Sequence, residues 1–295
     1  MKTILVLTDF TIRADHAAHY ALKLAQKIKA NLLLCNVYPA APVKPATTHT
    51  AWASVSYESF EEDSISDLSE LAGRLNKQLS KISKDEFRPA IEQCSKTGSL
   101  TGAINEIATS HHVLFAVIAM HNADGMFGLL ATDHTSEIIE KANCPVLVLP
   151  YQAPFKGFKK IAFATDLVHN GMDVLHSLYG ITKYFDSEIL ITHVAGDRSA
   201  ETEKENITKH FFTQDTAPIH YPKIYYRAIQ NKSVTSGLDW LAENMDVDLM
   251  VLVHHKRNFF QRIFESSVTQ KLVDHLTKPM LVFPSSNLRQ SLPIL

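Results

Sequence analysis

The chain has 295 residues, which is too long for one ordinary domain and suits two domains of about 150 residues each. Hydrophobic residues make up 45% and charged residues 20% of the sequence, so each half carries enough apolar material for its own core. The 29 basic residues nearly balance the 31 acidic ones, and the net charge of -2 gives no electrostatic signature of binding to nucleic acid or to an anionic membrane.

The N-terminal segment MKTILVLTDF is a short apolar run that ends at an aspartate, and it lacks the features of a signal peptide. No stretch approaches the roughly 18 apolar residues that a membrane span requires. The three cysteines, Cys35, Cys94 and Cys144, are widely spaced and form no C-x-x-C pair. They are typical of reduced, mostly buried thiols, so we expect a cytoplasmic protein.

Short apolar runs alternate with amphipathic stretches along the first half. The runs predict strands that are buried on both faces of a parallel sheet: Ile4–Thr8, Leu32–Val37, Val113–Ala119 and Val146–Leu149. The amphipathic stretches predict helices: His16–Ile28, Thr101–Ser110 and Thr135–Ala142. This alternation implies right-handed crossovers and an α/β fold with an open parallel sheet.

Two glycine- or proline-containing segments punctuate this pattern. Gly98 and Ser99 predict a turn and a helix cap. The segment 39–62 carries three prolines among Thr, Ser and Ala residues, and it predicts an irregular loop rather than core.

The second half repeats the order of the first. Thr3–Asp9 resembles Lys160–Asp166, and Leu32–Val37 resembles Ile189–Val194, both at an offset of 157 residues. At an offset of 134, the strand that ends at Ala119 resembles the one that ends at Val253. Further helices are expected at Gly171–Tyr184, Ala200–Phe212, Ser236–Asn244 and Val268–Leu276. Shared offsets over several elements indicate an internal duplication, with domains at 1–150 and 151–295.

These repeated segments resemble the universal stress protein family. The resemblance rests on the opening I-L-V-x-T-D, on the N-V or H-V that ends the second strand, and on the late C-P-V-L-V-L. It implies a tandem member with two Rossmann-like domains of the adenine nucleotide alpha hydrolase type. Nucleotide-binding members carry Gly-x-x-Gly, nine residues, and then Gly-Ser or Gly-Thr, because glycines let the backbone approach phosphates closely.

In the first half, the family register departs from that glycine pattern. It places Ala119, Asn122 and Thr132 at the three glycine positions and Asp133 at the Ser/Thr position, where a carboxylate would repel phosphate. Gly125 and Gly128 lie in the loop but out of register, and a shifted loop would still use them.

In the second half, the family register places Val253, Lys256 and Ser266 at the glycine positions, followed by Ser267. Lys256, Arg257 and the start of the next helix would suit a phosphate. The competing interpretation is a solvated basic turn with an ordinary N-cap.

The ends of the first two strands in each half are the other predicted ligand positions. The resemblance assigns the adenosine contact to Asp9 and, in the second half, to Asp166, with Val37 and Val194 nearby at the ends of the second strands. A Thr-Asp pair at a strand end also commonly closes a turn or caps the next helix, and both roles are compatible.

Catalytic and metal sites are not predicted. The chain has 15 histidines, but the adjacent pairs 111–112 and 254–255 point to opposite faces in an extended chain and rarely bind one ion. There is no G-x-S-x-G, no P-loop and no G-x-G-x-x-G motif.

Three functions follow, in order of preference. The first is a stress-response binding or regulatory protein that does not bind ATP through the glycine motif. The second is an adenine-nucleotide sensor that uses one cleft, with ATP or AMP as ligand, and the third is an enzyme on an unrelated substrate. We also expect an intramolecular pseudo-dimer through Val146–Leu149 and Met280–Phe283, with further homodimerisation through edge strands.

Overall fold

The computed structural model describes residues 2–38, 55–83, 85–120, 135, 137–151, 153–165, 171–195, 221–231, 234–253 and 278–284. The chain divides into two compact units, Met1–Ala119 and Met120–Leu295, which we call unit 1 and unit 2. Both are built mostly from parallel strands with helices between them, as the sequence predicted.

Unit 1 contains a parallel sheet with the strand order β3-β2-β1-β4. Its elements in chain order are β1 (Thr3–Leu7), α1 (Ile12–Ile28), β2 (Asn31–Tyr38), α2 (Val55–Leu79), β3 (Ile91–Thr97), α3 (Leu100–Ser110) and β4 (Val113–Ala119). The three strands predicted in this unit are confirmed to within a residue or two at their ends, and all seven residues of β4 are buried.

Helices α1 and α3 begin where the sequence offers a side-chain cap. The Thr11 hydroxyl accepts a hydrogen bond from Ala14 N at 3.3 Å, and Ser99 accepts from Gly102 N at 3.1 Å. Gly98, with a φ of 110°, makes the turn before Ser99, which confirms the predicted turn and cap. Helix α1 is capped after Ile28 by Lys29, which has a left-handed φ of 57° and whose N–H donates to Ala25 O.

Helix α2 corrects one sequence prediction. It begins at Val55, so residues 55–62 are helical and not part of an irregular loop; residues 39–54 lie outside the described part. The helix is anchored by apolar residues at helical spacing, all at most 5% exposed: Leu68, Leu71, Ala72, Leu75 and Leu79. These residues support a helix whose polar N-terminal turns gave no amphipathic signal of their own.

Unit 2 contains a sheet with the strand order β5-β10-β9-β6-β7-β8. Its elements are β5 (Val146–Leu149), β6 (Lys160–Ala164), α4 (Gly171–Phe185), β7 (Glu188–Ala195), β8 (Ile224–Gln230), α5 (Val234–Asn244), β9 (Leu249–Val253) and β10 (Met280–Phe283). Neighbouring strands are parallel, except that β5 is antiparallel to β10.

Three of the remaining helix predictions agree with the described residues. Residues 137–141 are helical, within the predicted Thr135–Ala142, and α4 and α5 match the predictions at Gly171–Tyr184 and Ser236–Asn244. The helices predicted at 200–212 and 268–276 lie outside the described residues.

The duplication is visible in the hydrogen bonds of the two units, which correspond at the offset of 157 residues. In unit 1, Thr8 N donates to Cys35 O at 3.0 Å, and in unit 2 Thr165 N donates to Thr192 O at 3.0 Å. The left-handed residue Lys29 likewise corresponds to Asp186, with a φ of 52°. Each unit therefore contains the same β-α-β arrangement.

Strand β5 comes from the first sequence repeat but lies in unit 2. Its partners across the antiparallel ladder are Met280 with Val148, Leu281 with Leu147 and Val282 with Val146. The compact units therefore do not end where the sequence repeats do, and the domain limits 1–150 and 151–295 stay a prediction. The connection beyond β5 is fixed in the core of unit 2, where buried Phe158 packs against Phe155 and Phe185.

A close contact between α5 and β7 gives a test of this packing. A Cβ on Gly237 would lie 2.5 Å from Cγ1 and 2.9 Å from Cγ2 of Val194, and a valine side chain has little rotamer freedom to move away. We expect Gly237→Ala to lower the free energy of unfolding by about 1–3 kcal/mol, measured by chemical denaturation.

The matched control is Gly73→Ala in α2, where a Cβ would meet nothing within 4 Å. It should raise stability by about 0.5–1 kcal/mol through helix propensity. The double variant Gly237→Ala/Val194→Ala should recover part of the loss because it makes room for the new methyl group. A Gly237→Ala protein as stable as the parent would show that α5 does not pack this closely on β7.

Candidate functional site

The candidate site of unit 1 lies at the carboxyl end of β1, the edge at which open parallel sheets bind ligands. Thr8 follows the strand and is 5% exposed, whereas the next residue, Asp9, is exposed. Phe10 then adopts a left-handed backbone with a φ of 62°. This φ turns the chain sharply from β1 into α1.

Asp9 closes that turn. Its Oδ1 accepts hydrogen bonds from Thr11 N at 3.1 Å and from Thr11 Oγ1 at 2.7 Å, and Thr11 in turn caps α1. The turn role considered from the sequence is therefore present in the structure. The carboxylate is still exposed at this edge, close in sequence to Ile12, whose side chain is 77% exposed.

A buried polar network supports this turn from below. Asn36 Nδ2, near the end of β2, donates to Thr8 O at 2.8 Å. Ser64 Oγ of α2 donates to Asn36 Oδ1 at 2.9 Å and lies 2.6 Å from Ser95 Oγ of β3. Ser64 is only 4% exposed, so these bonds are shielded from water. The network joins α2, β2 and β3 to the residue before Asp9, and it holds that residue in one position.

Unit 2 repeats the central contact of this network with a different side chain. His193, at the position of Asn36, makes a hydrogen bond of 3.0 Å between Nδ1 and Thr165 O. Because the Thr165 carbonyl can only accept a hydrogen bond, Nδ1 of His193 must carry a proton. Asp166, the counterpart of Asp9, lies outside the described residues.

Three further predicted site residues lie in the described part of the chain. Val37 is in β2, in register with Lys96 of β3. Ala119 ends β4 and is 9% exposed. Val194 is in β7 and packs against Gly237, so its side chain faces α5.

The other predicted site residues lie outside the described residues: Asn122, Thr132, Asp133, Asp166, Lys256, Arg257, Ser266 and Ser267. The structure therefore brings Asp9, Val37 and Ala119 to the same end of the unit 1 sheet, while the loop residues stay a prediction.

Asn36, Ser64 and Ser95 are site residues that the sequence analysis missed. The available signal was Asn36 and His193, two polar residues at the same repeat position inside otherwise apolar strands. No local pattern links Ser64 or Ser95 to them, because those contacts join residues 28 and 31 positions apart.

Charged and hydroxyl side chains near this edge already bind other groups of the protein. Lys96 Nζ lies 2.7 Å from Glu106 Oε1 of α3, and this hydrogen bond and charge raise the pKa of Lys96. Ser99 occupies the N–H of Gly102 in the first turn of α3. In unit 2, Cys144 lies two residues before β5, is 5% exposed and packs in the core. Among the described residues, no cluster of three His, Cys, Asp or Glu side chains could hold a metal ion.

These contacts hold a carboxylate at the edge of the sheet. An exposed carboxylate on a firmly held turn can accept hydrogen bonds from a ligand. The Thr11 hydroxyl already donates to this carboxylate at 2.7 Å, and this contact closes the turn. In addition, none of the described helices has the length and apolar character of a membrane span.

Comparison with family models matches the chain to the Universal stress protein family over residues 1–150 and again over 157–284. A universal stress protein from Archaeoglobus fulgidus DSM 4304 has a similar structure over 96% of both chains, with a TM-score of 0.65 and 10% identity. A protein of unknown function from Pseudomonas aeruginosa PAO1 covers 97% of this chain and 93% of its own, with a TM-score of 0.58 and 15% identity.

Two further similarities cover at most half of this chain. A universal stress protein in complex with cAMP matches 50% of this chain at 18% identity, with a TM-score of 0.37. A tRNA(Ile)-lysidine synthase from Streptococcus thermophilus is 27% identical over 127 residues, 42% of this chain and 30% of that enzyme. The chain thus spans less than a third of the length of that curated relative.

The polar network gives a test with a matched control on the same helix. Ser64 and Ser69 both extend from α2 toward side chains of β3, but Ser64 is buried, whereas Ser69 is exposed and lies 3.2 Å from Gln93. We expect Ser64→Ala to cost about 1–3 kcal/mol, because it leaves Asn36 Oδ1 and Ser95 without this partner.

The control Ser69→Ala should change the free energy of unfolding by less than about 0.5 kcal/mol. Both values come from urea denaturation followed by circular dichroism. Equal, small effects in the two variants would show that the network does not hold the Asp9 turn.

Proposed function

The chain belongs to the universal stress protein family, and we propose that it is a binding or regulatory protein of the stress response that does not hold ATP through the family's glycine loop. The observation that carries the proposal is the residue at the end of β4. The family register puts the first glycine there, and this chain has Ala119.

The physical argument concerns how closely a backbone can approach phosphate. A Cβ at each glycine position keeps phosphate oxygens away from the backbone N–H groups that would bind them. Asn122 and Thr132 repeat this substitution, and Asp133 adds a negative charge beside the site of a polyanion. A cytoplasmic location belongs to the same proposal, since three thiols outside any disulfide fit a reducing compartment.

One observation favours a second function, an adenine-nucleotide sensor in unit 1. Asp9 is exposed at the carboxyl end of β1 and is held there by Thr11 and, through Thr8, by Asn36. Such a carboxylate can accept hydrogen bonds from a ribose or a base even where the phosphates are poorly held. AMP, with fewer charges than ATP, is the ligand that this arrangement would tolerate better.

In unit 2, the corresponding proposal is a phosphate bound by Lys256 and Arg257 near Ser266 and Ser267.

Calorimetric titration of the full chain with ATP and with AMP distinguishes these functions. For the principal proposal, neither ligand should bind with a Kd below about 100 µM. AMP binding that Asp9→Ala weakens at least about tenfold, a change of 1.4 kcal/mol, would support the sensor instead.

The matched control for this titration is Asp15→Ala. Asp15 is a nearby carboxylate of α1 that pairs with Arg74 at 2.7 Å and not with the β1 turn. Tight, stoichiometric ATP binding to the parent protein would overturn the non-binding proposal.

We propose further that the two sequence repeats associate as an intramolecular pseudo-dimer through their last strands. Support comes from the antiparallel ladder between β5, the last strand of the first repeat, and β10, the last strand of the second. All eight residues of the two strands are buried, so this ladder is an apolar contact. Association of whole chains into a homodimer is a separate proposal.

A cysteine pair tests the pseudo-dimer. In a background without native cysteines, Leu147→Cys with Leu281→Cys places two thiols on register partners. We expect a disulfide that forms within one chain, so that the product migrates as a monomer on a non-reducing gel. Leu147→Cys with Val282→Cys is the control, because adjacent residues of a strand point to opposite faces. A disulfide-linked dimer would show instead that these strands pair between chains.

A further inference from the structure

Two cysteines that are far apart in sequence lie side by side in unit 1. Cys35 of β2 and Cys94 of β3 are register partners in the parallel ladder. Neighbouring strands are about 4.8 Å apart, which falls within the range of Cα separations that a disulfide spans. Register partners in such a ladder also point to the same face of the sheet. The geometry of a thiol pair is therefore built into the fold.

The neighbouring contacts show which face the pair occupies. Asn36 and Ser95, the residues directly after the two cysteines, both contact Ser64 of α2. Cys35 and Cys94 must therefore point to the other face, the side on which Lys96 meets Glu106 of α3. Cys35 is fully buried, whereas Cys94 is partly exposed on the outer strand of this ladder. A small oxidant can thus reach Cys94 first.

The pKa values of the two thiols shift in opposite directions. A hydrogen bond from Cys35 lowers the pKa of Cys94, and the charge of Lys96 acts in the same direction, against burial and Glu106. The same hydrogen bond, together with burial, raises the pKa of Cys35. The lowered pKa favours the thiolate at Cys94, which is also the more accessible of the two thiols.

We propose that Cys35 and Cys94 are a redox-active thiol pair that a peroxide converts to an intramolecular disulfide. The Cys94 thiolate attacks one peroxide oxygen, the O–O bond breaks, and a hydroxide leaves and takes up a proton as water. Cys35 Sγ then attacks Sγ of the Cys94 sulfenic acid; the S–S bond forms, the S–O bond breaks, and a second water leaves with the Cys35 proton. Two thiols are oxidised and one peroxide is reduced to two waters.

The disulfide would act on the strand segment that holds the candidate site. Each cysteine is followed directly by a member of the polar network, Asn36 or Ser95. Fixing β2 to β3 at this point restrains both residues and, through Asn36, the Thr8 carbonyl before Asp9. This inference does not depend on whether a nucleotide binds.

The experiment treats the reduced full-length chain with hydrogen peroxide, alkylates the remaining thiols after denaturation, and measures intact mass and non-reduced peptides. We expect a loss of about 2 Da before alkylation, one alkylated thiol at Cys144, and a peptide in which Cys35 is linked to Cys94. Cys144→Ser, which alters a thiol in unit 2, should give the same linked peptide, and Cys94→Ser should give none.

Three results would overturn the proposal, and each is measured on the protein without substitutions. They are three thiols that remain alkylatable, Cys94 oxidised to sulfinic or sulfonic acid without a linked peptide, and a disulfide between two chains. A linked Cys35–Cys94 peptide that dithiothreitol removes supports it.

Discussion

A single hydrogen bond in each unit fixes the edge of the sheet at which a ligand would bind. It joins a polar side chain near the end of the second strand to the backbone carbonyl that follows the first strand: Asn36 to Thr8, and His193 to Thr165. This carbonyl comes directly after the first strand, so its position sets the direction of the following turn. In unit 1 the bond is extended into α2 and β3 through Ser64 and Ser95, and the exposed carboxylate of Asp9 follows.

The two units use different polar side chains to bond the carbonyl that follows the first strand. In unit 1 the side-chain amide of Asn36 donates to Thr8 O and accepts from Ser64 Oγ, so both its NH2 group and its oxygen are hydrogen-bonded within the protein. Unit 2 uses an imidazole whose Nδ1 serves the carbonyl. The backbone geometry of the first β-α-β segment is the same in both units, while the side chain that contacts the carbonyl differs.

Most of the fold was predictable because its central strands are buried on both faces. Such strands are continuously apolar, as in β4 and β9, and they stand out in the sequence. The outer strands β3 and β8 were missed because exposed residues such as Glu92 and Arg227 interrupt that pattern. Asp9 was predicted from the family resemblance, but Ser64, Ser95 and the pairing of Cys35 with Cys94 arise only when distant segments meet.

The antiparallel ladder in unit 2 makes the second sequence repeat depend on a strand from the first. β5 is encoded by the first repeat, yet it covers the side of β10 that β9 leaves open. A fragment cut in the connection between β5 and β6 would leave β10 with a bare row of backbone donors and acceptors, which attracts other chains into non-native aggregates. Fusion of the two repeats supplies this strand to β10 from within the same chain.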